Sequence, residues 1–452
     1  MVPSRRSSQS PSAPQAAMAT AAVSPNELTF PTFSQPARLS SMTGYFTLPS
    51  LDRLPPVPLR LSPVTAPKAA TLFSREGMRS MTGVLPSQEL EALIREGVIA
   101  ADRPIADGQI QPASMDLRLG PRAWRVSASF LPGAKASVRK KIDELKVYDL
   151  DLSTPKVLEK GQVYIVQLME SVKLPPNFYG RANPKSTTGR LDIFTRLITD
   201  HCSEYEFVED RYAGPLYIEI VPVQFSVIVQ AGTSLNQLRI IHGTPTSPDV
   251  DESDTRIEDL DRREKLVYDE NSDPHKAKVW DGLMLSIDLA GRNPGDLVGF
   301  KAKKNATPID LSLKAHYEAA EFWEPIYGGP GKPLVLHPDD FYILASKERV
   351  RVPLEYAGRL IEIDPSYGEF RVHYAGFFDP GFGYGNNDVL GTRAVLEVRS
   401  HEVPFQMEDG QVVGRLKYEK LVAPPAKVYG LGIGSSYQSQ GVALSKQFKA
   451  FK

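Results

Sequence analysis

Short apolar runs separated by polar turns dominate the chain from about residue 81 onwards. Leu90, Leu93 and Ile94 recur at helical spacing and predict one short helix, which Gly97 would end. The clearest β-rich runs are residues 163–166, 216–221 and 225–229. Clusters of Gly, Pro and Asp lie between such runs at close spacing, which is typical of barrels and sandwiches. The pattern predicts a mainly β fold with a few short helices.

One stretch of this pattern occurs twice. Residues 157–181 align with residues 335–359 without a gap, and both stretches end in Gly-Arg. A looser match extends outward, for example between residues 232–238 and 410–416. We therefore predict two tandem copies of one β-rich unit. The first copy spans 81–242, a polar acidic connector spans 243–275, and the second copy spans 276–452.

The first eighty residues differ in composition from the rest. They are rich in Pro, Ser and Arg, contain few acids, and hold no sustained apolar period. This composition predicts an organelle transit peptide, addressed to a plastid or mitochondrion. The alternative is a disordered extension, or a true start at Met78 or Met81, which would leave the protein in the cytoplasm. Neither version contributes to the fold.

The overall composition excludes several classes of protein. Lys and Arg number 53 against 54 Asp and Glu, so the net charge of −1 gives no basis for sequence-independent nucleic-acid binding. Cys202 is the only cysteine of the 452 residues, which excludes an intramolecular disulfide and a Cys-based zinc cluster. No apolar run approaches the ~18 residues of a membrane span, so no membrane association is expected.

Residues 180–190 carry the first candidate chemistry. Lys185, Ser186, Thr187 and Arg190 lie together directly after a predicted strand. Hydroxyls and backbone N–H groups can cradle phosphate oxygens while cations neutralise them. The segment is not a P-loop, because the order of its residues differs. The alternative is an ordinary polar turn.

A second group of candidates lies in the second copy. Asp379, Gly381 and Phe382 form a predicted turn in which an aromatic ring beside glycine could bind a planar ligand. Glu397 sits in an apolar strand, and Glu219 has the same setting in the first copy. A carboxylate in such a site can have a raised pKa and act as a general acid or base. The alternative is a rim glutamate paired with an arginine.

The Gly-rich segment 429–441 completes the set of candidates. Its glycines alternate with apolar and hydroxyl residues, which favours a mobile C-terminal flap over a ligand. The alternative is a loose chain end.

Together these motifs resemble those of dCTP deaminases of the dUTPase-like superfamily, in the long form that fuses two copies. Residues 185–190 (KSTTGR) resemble the family's Ser/Arg motif, residues 375–382 (AGFFDPGF) its pyrimidine motif, and residues 396–398 (LEV) the motif of its catalytic glutamate. The resemblance implies two dUTPase-like β-barrel or jelly-roll-like units. By this resemblance the substrate-binding residues are Lys185, Thr187, Ala375, Asp379, Gly381, Phe382, Tyr429, Ser436 and Gln440. The family tends to carry a lysine where Ser436 stands.

The two copies have lost complementary motifs. The first copy keeps the Ser/Arg motif, but Asp210–Gly214 replaces its pyrimidine motif; the second copy keeps the pyrimidine motif, Glu397 and the tail. Because active sites of the superfamily lie between subunits, we expect one composite site for each pair of copies. Glu397, Ser186 and Arg190 would be its catalytic residues, and Glu219 is the alternative acid/base.

The resemblance implies hydrolysis of dCTP to dUTP and ammonia. Zinc deaminases need H-x-E and P-C-x-x-C motifs, so we expect zinc-independent catalysis in which Glu397 activates water. Mg²⁺ would arrive on the triphosphate. The alternatives are a dUTP diphosphatase, a bifunctional enzyme, or a non-catalytic nucleotide-binding protein. A homo-oligomer is expected, possibly of three chains with six copies.

Overall fold

The structure, a computed structural model, describes residues 81–245, 247, 250–363, 366, 368, 370–373, 376–384, 390–400, 402–430 and 442–451. All of these residues belong to one unit, 71–452. The predictions made for the leader and for Ala375, Ser436 and Gln440 lie outside the described residues.

Helices are few and short. They are α1 (Ser87–Arg95), α2 (Val138–Leu145), α3 (Ser186–Gly189), α4 (Asp254–Glu264) and α5 (Ala319–Phe322), with one 3₁₀ turn at Asp107–Gln109. Helix α1 buries Leu90 and Leu93, and Gly97 follows it with a φ of 72°. No helix in the described part of the chain is long and apolar enough to cross a bilayer.

Twelve strands of the described structure precede the connector. They are β1 (Gly83–Val84), β2 (Ile99–Ala101), β3 (Met115–Val126), β4 (Lys146–Asp151), β5 (Lys156–Leu158), β6 (Val163–Lys173), β7 (Phe178–Pro184), β8 (Ile193–Ile198), β9 (Phe207–Val208), β10 (Ala213–Pro222), β11 (Val227–Val229) and β12 (Ser234–His242). Ten of these strands form one large sheet, which runs β8-β10-β6-β3-β12-β7-β9 with β1, β2 and β4 paired beside this path. Strands β5 and β11 pair with each other outside this sheet.

The remaining strands build the second half. They are β13 (Val267–Tyr268), β14 (Pro274–His275), β15 (Leu283–Ser286), β16 (Leu297–Ala302), β17 (Ile309–Asp310), β18 (Trp323–Tyr327), β19 (Leu334–Leu336), β20 (Tyr342–Val350), β21 (Tyr356–Ile361), β22 (Phe370–His373), β23 (Phe377–Phe378), β24 (Thr392–Ser400), β25 (Phe405–Met407) and β26 (Val412–Lys420). One sheet runs β14-β13-β20-β16-β18 with β24 and β22 attached, and another runs β15-β26-β21-β23.

Part of the connector packs against the second copy. Helix α4 buries Ile257, Leu260 and Asp261, and β13 pairs with β20 of the second copy. These residues therefore pack as part of the second half.

The copies share structure as well as sequence. Strand β7 pairs with β12 and β9 as β21 pairs with β26 and β23, and the equivalent residues Arg181 and Arg359 occupy equivalent positions. Strict alternation of buried and half-buried residues along β7 explains why this segment forms a strand with one core-facing side. The predicted mainly β fold with a few short helices is confirmed.

One core joins the two copies. Strand β17 of the second copy pairs in parallel with β11 of the first. Phe225 of the first copy packs against Trp323, with ring centroids 5.5 Å apart, and Phe448 lies 5.9 Å from the same Trp323 ring. Phe448 is 6% exposed, so the chain end is docked in this core rather than loose. The flap predicted from residue 429 is thus followed by a packed segment, while its residues 431–441 lie outside the described structure.

Candidate active site

Glu397 is a buried carboxylic acid in the middle of a sheet. Strand β24 places it between Ile343 of β20 and His373 of β22 in the backbone register, and its exposure is 0%. Neither carboxylate oxygen has a hydrogen-bond partner among the described residues. Burial raises the pKa of Glu397 to about 8, although the positive charge of Arg190 opposes this rise. The group can therefore gain or lose a proton near neutral pH.

Arg190 of the first copy lies beside this acid of the second copy. It follows helix α3, is 6% exposed, and donates from Nη1 to the backbone oxygen of Ala443 at 2.9 Å. Its charge is the largest influence lowering the pKa of Glu397. The two catalytic candidates that the sequence assigns to different copies thus lie together within one chain.

An ion pair between Arg399 and Asp192 joins these two segments. Arg399, two residues after Glu397, donates from Nε to both carboxylate oxygens of Asp192 at 3.1 Å. Asp192 itself follows Arg190 by two residues and is fully buried. The arginine on the face of Glu397 therefore pairs with Asp192, which sequence reasoning did not single out.

Lys185, Ser186 and Thr187 precede Arg190 at the start of α3. Lys185 forms an ion pair with Asp116, and Ser445 of the chain end donates its hydroxyl to the backbone oxygen of Thr187 at 2.8 Å. Lys185 and Thr187 line a cleft of about 440 Å³. Ser186 is half-buried at the first position of the helix. The Ser/Arg segment therefore spans the distance from this cleft to Glu397.

The cleft, called here the lysine cleft, also receives residues from the second copy. Lys446 and Ser312 line it beside Lys185, Thr187 and Asp116. Burial lowers the pKa of Lys446, and the positive charges of Lys185 and Lys314 lower it further. Sequence reasoning missed Lys446, because nothing in a lone lysine near the chain end distinguishes it from a surface lysine. Concentrated positive charge with neighbouring hydroxyls suits a polyanionic ligand.

The pyrimidine motif lies against the first copy. Gly376 touches Asn183 of β7 so closely that a Cβ atom on it would lie 2.2 Å from the Asn183 amide nitrogen. Burial raises the pKa of Asp379, and the charges of Arg239 and Lys185 oppose that rise. Asp379 is thus brought near the lysine cleft, as a composite site requires.

The turn of this motif requires its glycine. Gly381 has a φ of 91°, and a Cβ there would lie 2.5 Å from the Val428 side chain. The Phe382 ring is 9% exposed and packs 4.9 Å from Phe378 and 5.5 Å from Tyr429. Tyr429 donates its backbone N–H to Pro380 at 3.0 Å. Phe382 and Tyr429 are therefore packed together with the motif, rather than forming an open slot for a planar ring.

The alternative acid, Glu219, has a different environment. It is fully buried, but Arg196 donates to its Oε1 from Nε at 3.0 Å and from Nη2 at 2.5 Å. The Arg196 guanidinium in turn lies 3.5 Å from the centroid of the Tyr205 ring. The alternative interpretation, a glutamate paired with an arginine, therefore fits Glu219. The carboxylate oxygens of Glu397 have no hydrogen-bond partner among the described residues.

The strand register also refines the alignment of the lost motif. Phe207–Val208 pairs with Gly180 and Arg181 as Phe377–Phe378 pairs with the equivalent residues of β21. The first-copy counterpart of the pyrimidine turn is therefore 209–212, one residue earlier than the sequence comparison suggested. Arg211, with a φ of 60°, stands where the second copy has Gly381.

Comparisons with known proteins agree with this arrangement. The model of the 2'-deoxycytidine 5'-triphosphate deaminase N-terminal domain matches residues 81–244, and that of the C-terminal domain matches residues 253–448. The crystal structure of 2'-deoxycytidine 5'-triphosphate deaminase from Agrobacterium tumefaciens is 44% identical, with a TM-score of 0.71. That alignment covers 75% of this chain and 99% of the other.

Curated relatives match a shorter stretch. A "dCTP deaminase, dUMP-forming" of Mycolicibacterium gilvum is 36% identical over 126 residues, which is 27% of this chain and 62% of the relative. The protein of the same name from Corynebacterium diphtheriae is 35% identical over 129 residues, covering 27% of this chain and 64% of the relative. The chain thus spans less than two thirds of the length of these two relatives. On the family models and the Agrobacterium structure, the chain belongs to the 2'-deoxycytidine 5'-triphosphate deaminase family.

Proposed function

We propose that this protein catalyses the hydrolytic deamination of dCTP. The observation that carries the proposal is a fully buried Glu397, whose pKa is raised to about 8 and whose carboxyl group feels the charge of Arg190 of the other copy. Titratable groups with strongly shifted pKa values are concentrated at catalytic sites. Membership of the deaminase family gives this acid/base a substrate class.

The chemistry requires one group that accepts and then donates a proton. Ionised Glu397 takes a proton from a water molecule, whose oxygen bonds to C4 of the cytosine ring. The same carboxyl group then gives the proton to N4, the C4–N4 bond breaks, and ammonia leaves. A pKa near 8 suits both halves of this cycle, because neither protonation state is strongly favoured at neutral pH. Ser186 and the backbone near Ala375 would orient the water, and Arg190 would stabilise the developing negative charge.

The proposal assigns no zinc to the reaction. Zinc deaminases bind their metal through His and Cys ligands, and this chain has one cysteine, Cys202, which is buried. Among the described residues no three His, Cys, Asp or Glu side chains are grouped to hold a metal ion. Mg²⁺ would enter as part of the substrate, bound to the triphosphate in the lysine cleft.

The experiment that tests the proposal measures ammonia released from dCTP with Mg²⁺, with and without a zinc chelator. Equal ammonia release in both samples is the expected result. Dependence on zinc would contradict the assignment of water activation to Glu397. Absence of any reaction would favour the remaining alternative, a nucleotide-binding protein without catalysis.

Lys446 is expected to bind the triphosphate. Replacing it by glutamine removes one of the charges that line the lysine cleft, and a charge-assisted hydrogen bond contributes about 1.5–3 kcal/mol. We expect the KM for dCTP to rise roughly tenfold or more, with a much smaller change for dCMP, which carries fewer phosphates.

The matched control is Lys449→Gln. Lys449 lies on the same terminal segment, but it pairs with Glu318 and is 49% exposed. We expect this variant to keep the KM values of the unmodified protein. If Lys446→Gln raised the KM for dCTP and the KM for dCMP equally, the proposal that Lys446 binds the triphosphate would be contradicted.

A second reaction at the same site, hydrolysis of the triphosphate to dUMP, is favoured by two observations. The matched relatives from Mycolicibacterium and Corynebacterium are named dUMP-forming, whereas the sequence analysis expected dUTP as the product. The lysine cleft also contains a carboxyl group, Asp116, whose Oδ1 is buried without a hydrogen-bond partner among the described residues. An acid in this position could direct water to the α-phosphate, breaking its bond to the bridging oxygen and releasing pyrophosphate.

Replacing Asp116 by asparagine separates the two reactions. We expect unmodified protein to convert dCTP to dUMP, pyrophosphate and ammonia. The variant should release dUTP and ammonia, because Glu397 remains while the acid beside the phosphates is gone. Chromatography of the nucleotide products measures this directly. Release of dUTP alone by the unmodified protein would restrict the activity to deamination, and unchanged dUMP formation by the variant would exclude Asp116 from the second step.

A further inference from the structure

Arg239 of the first copy reaches into the pyrimidine motif of the second. It lies on β12 and is fully buried. Its Nη1 donates to the backbone oxygen of Gly358 at 2.9 Å, and its Nη2 donates to that of Phe378 at 3.0 Å. The guanidinium also lies 3.9 Å from the centroid of the Phe377 ring. One side chain therefore contacts both the motif and the strand that supports it.

Acidic groups on two sides fix this guanidinium. Its Nη1 donates to Glu419 at 2.9 Å, and its Nη2 lies 3.7 Å from Oδ1 of Asp379. Glu419 is held in turn by Arg181 at 2.9 Å and by Arg359 at 2.7 Å. Arg239 thus connects the ion-pair cluster around Glu419 to the substrate-binding candidate Asp379.

The repeat shows that this contact is particular to one half of the molecule. Lys417 stands at the equivalent position of the second copy, because it pairs with Arg359 as Arg239 pairs with Arg181. Its Nζ donates to Asp281, whose side chain is 52% exposed, at 2.6 Å. The arginine is therefore present in the copy that has lost its own pyrimidine motif, and it faces the motif that has been kept.

We propose that Arg239 is a positioning residue that fixes the pyrimidine motif for nucleotide binding. The inference rests on the proposed deamination, and it assigns part of the second copy's binding site to the first copy. A planar guanidinium can bind two carbonyl oxygens and a carboxylate at once while stacking on an aromatic ring. Lysine has one compact charged group, so it cannot make all of these contacts.

The test compares Arg239→Lys with Arg181→Lys. Both changes keep a positive charge and remove an arginine bond to Glu419, but no hydrogen bond from Arg181 to the pyrimidine motif is present among the described residues. We expect Arg239→Lys to raise the KM for dCTP roughly tenfold or more with a smaller change in kcat. Arg181→Lys should keep the KM. A merely structural role would lower the fraction of folded enzyme, which reduces the apparent kcat and leaves the KM unchanged.

A milder variant covers the case in which Arg239→Lys does not fold. Phe377→Leu removes the stacked ring and leaves every buried charge in place, so we expect it to fold and to raise the KM severalfold. An unchanged KM in Phe377→Leu, or in folded Arg239→Lys, would overturn the proposal. Equal KM increases in Arg239→Lys and Arg181→Lys would also overturn it, because the effect would then belong to the cluster around Glu419. Failure of the proposed function is distinguishable, since the unmodified protein would then release no ammonia.

Discussion

Glu397→Gln is expected to slow the deamination of dCTP strongly and, at the same time, to stabilise the folded protein at pH 7. Glutamine has nearly the shape of the protonated acid, but it cannot take a proton from water. Loss of a positioned general acid/base costs on the order of 10²–10⁴-fold in rate. Catalytic residues often reduce the stability of the fold while they are required for activity, and Glu397 is expected to show this trade-off.

The stability gain follows from the pKa of the buried acid. In the unfolded chain the glutamate ionises above its ordinary pKa of 4.5, whereas in the folded protein burial raises this pKa to about 8. The folded state therefore loses stability as the pH rises from 4.5 to 8. At pH 7 the loss is about 3 kcal/mol, from roughly 1.4 kcal/mol for each pH unit. Glutamine does not ionise, so it removes this loss. Urea unfolding of Glu397→Gln should therefore show a higher free energy of unfolding at pH 7 and no increase at pH 4.

The matched control for this prediction is Glu219→Gln. Glu219 is equally buried but paired with Arg196, so its replacement removes an ion pair and should destabilise the fold. We expect this variant to keep the rate constant for deamination in the protein that remains folded. Full activity in Glu397→Gln, with loss of activity in Glu219→Gln, would move the acid/base to the first copy.

Glu419→Gln is expected to be among the most destabilising single changes in the chain. Glu419 is fully buried and neutralises Arg239, which is fully buried too, together with Arg181 and Arg359. Removing one partner from a buried ion pair costs about 3–5 kcal/mol, because the remaining charge is left without compensation. Urea unfolding at pH 7 measures this loss.

The pH dependence of Glu419 has the opposite sign to that of Glu397. Burial opposes ionisation of Glu419, but its arginine neighbours hold its pKa at about 2, below the ordinary value of 4.5. Its contribution is therefore present above pH 4.5 and is lost as the pH falls towards 2. The exposed Glu408 provides a control, since Glu408→Gln should change the unfolding free energy by less than about 0.5 kcal/mol. Equal stability of the two variants at pH 7 would contradict the role given to the buried cluster.

The sequence predicted the site best where one residue type carries a strong physical constraint. An acid between Leu396 and Val398 in an apolar strand indicates an unusual carboxylate, and the structure buries all three residues. The complementary loss of motifs predicted that Arg190 and Glu397 would belong to one site, and within one chain the charge of Arg190 acts on the Glu397 carboxyl group. The mainly β fold followed from short apolar runs and from the repeat.

Other parts of the site depend on contacts between residues that are distant in the sequence. Arg239 looks like any charged residue on a strand, and its burial depends on how the copies pack. Lys446 joins the lysine cleft because Phe448 anchors the chain end in the shared core. Phe382 was expected to offer a surface to a planar ring, but it packs against Phe378 and Tyr429. Local sequence patterns do not encode such pairings.

Several expectations stay predictions. The transit-peptide interpretation concerns residues 1–80, and the phosphate contacts of Ser436 and Gln440 concern the flap; both lie outside the described residues. The boundaries of the copies and an assembly of three chains with six copies stay predictions as well. Sedimentation analysis of the purified protein would measure the number of chains.

The central claim is that one substrate site is shared by the two copies of a single chain. A crystal structure of Glu397→Gln with dCTP and Mg²⁺ tests it most directly, because the slow variant should retain unreacted substrate. The account predicts the cytosine ring between residue 397 and Arg190, with the triphosphate beside Lys185 and Lys446. A cytosine ring bound wholly within one copy, for example beside Glu219, or a protein-bound metal ion at C4 of the ring would contradict it.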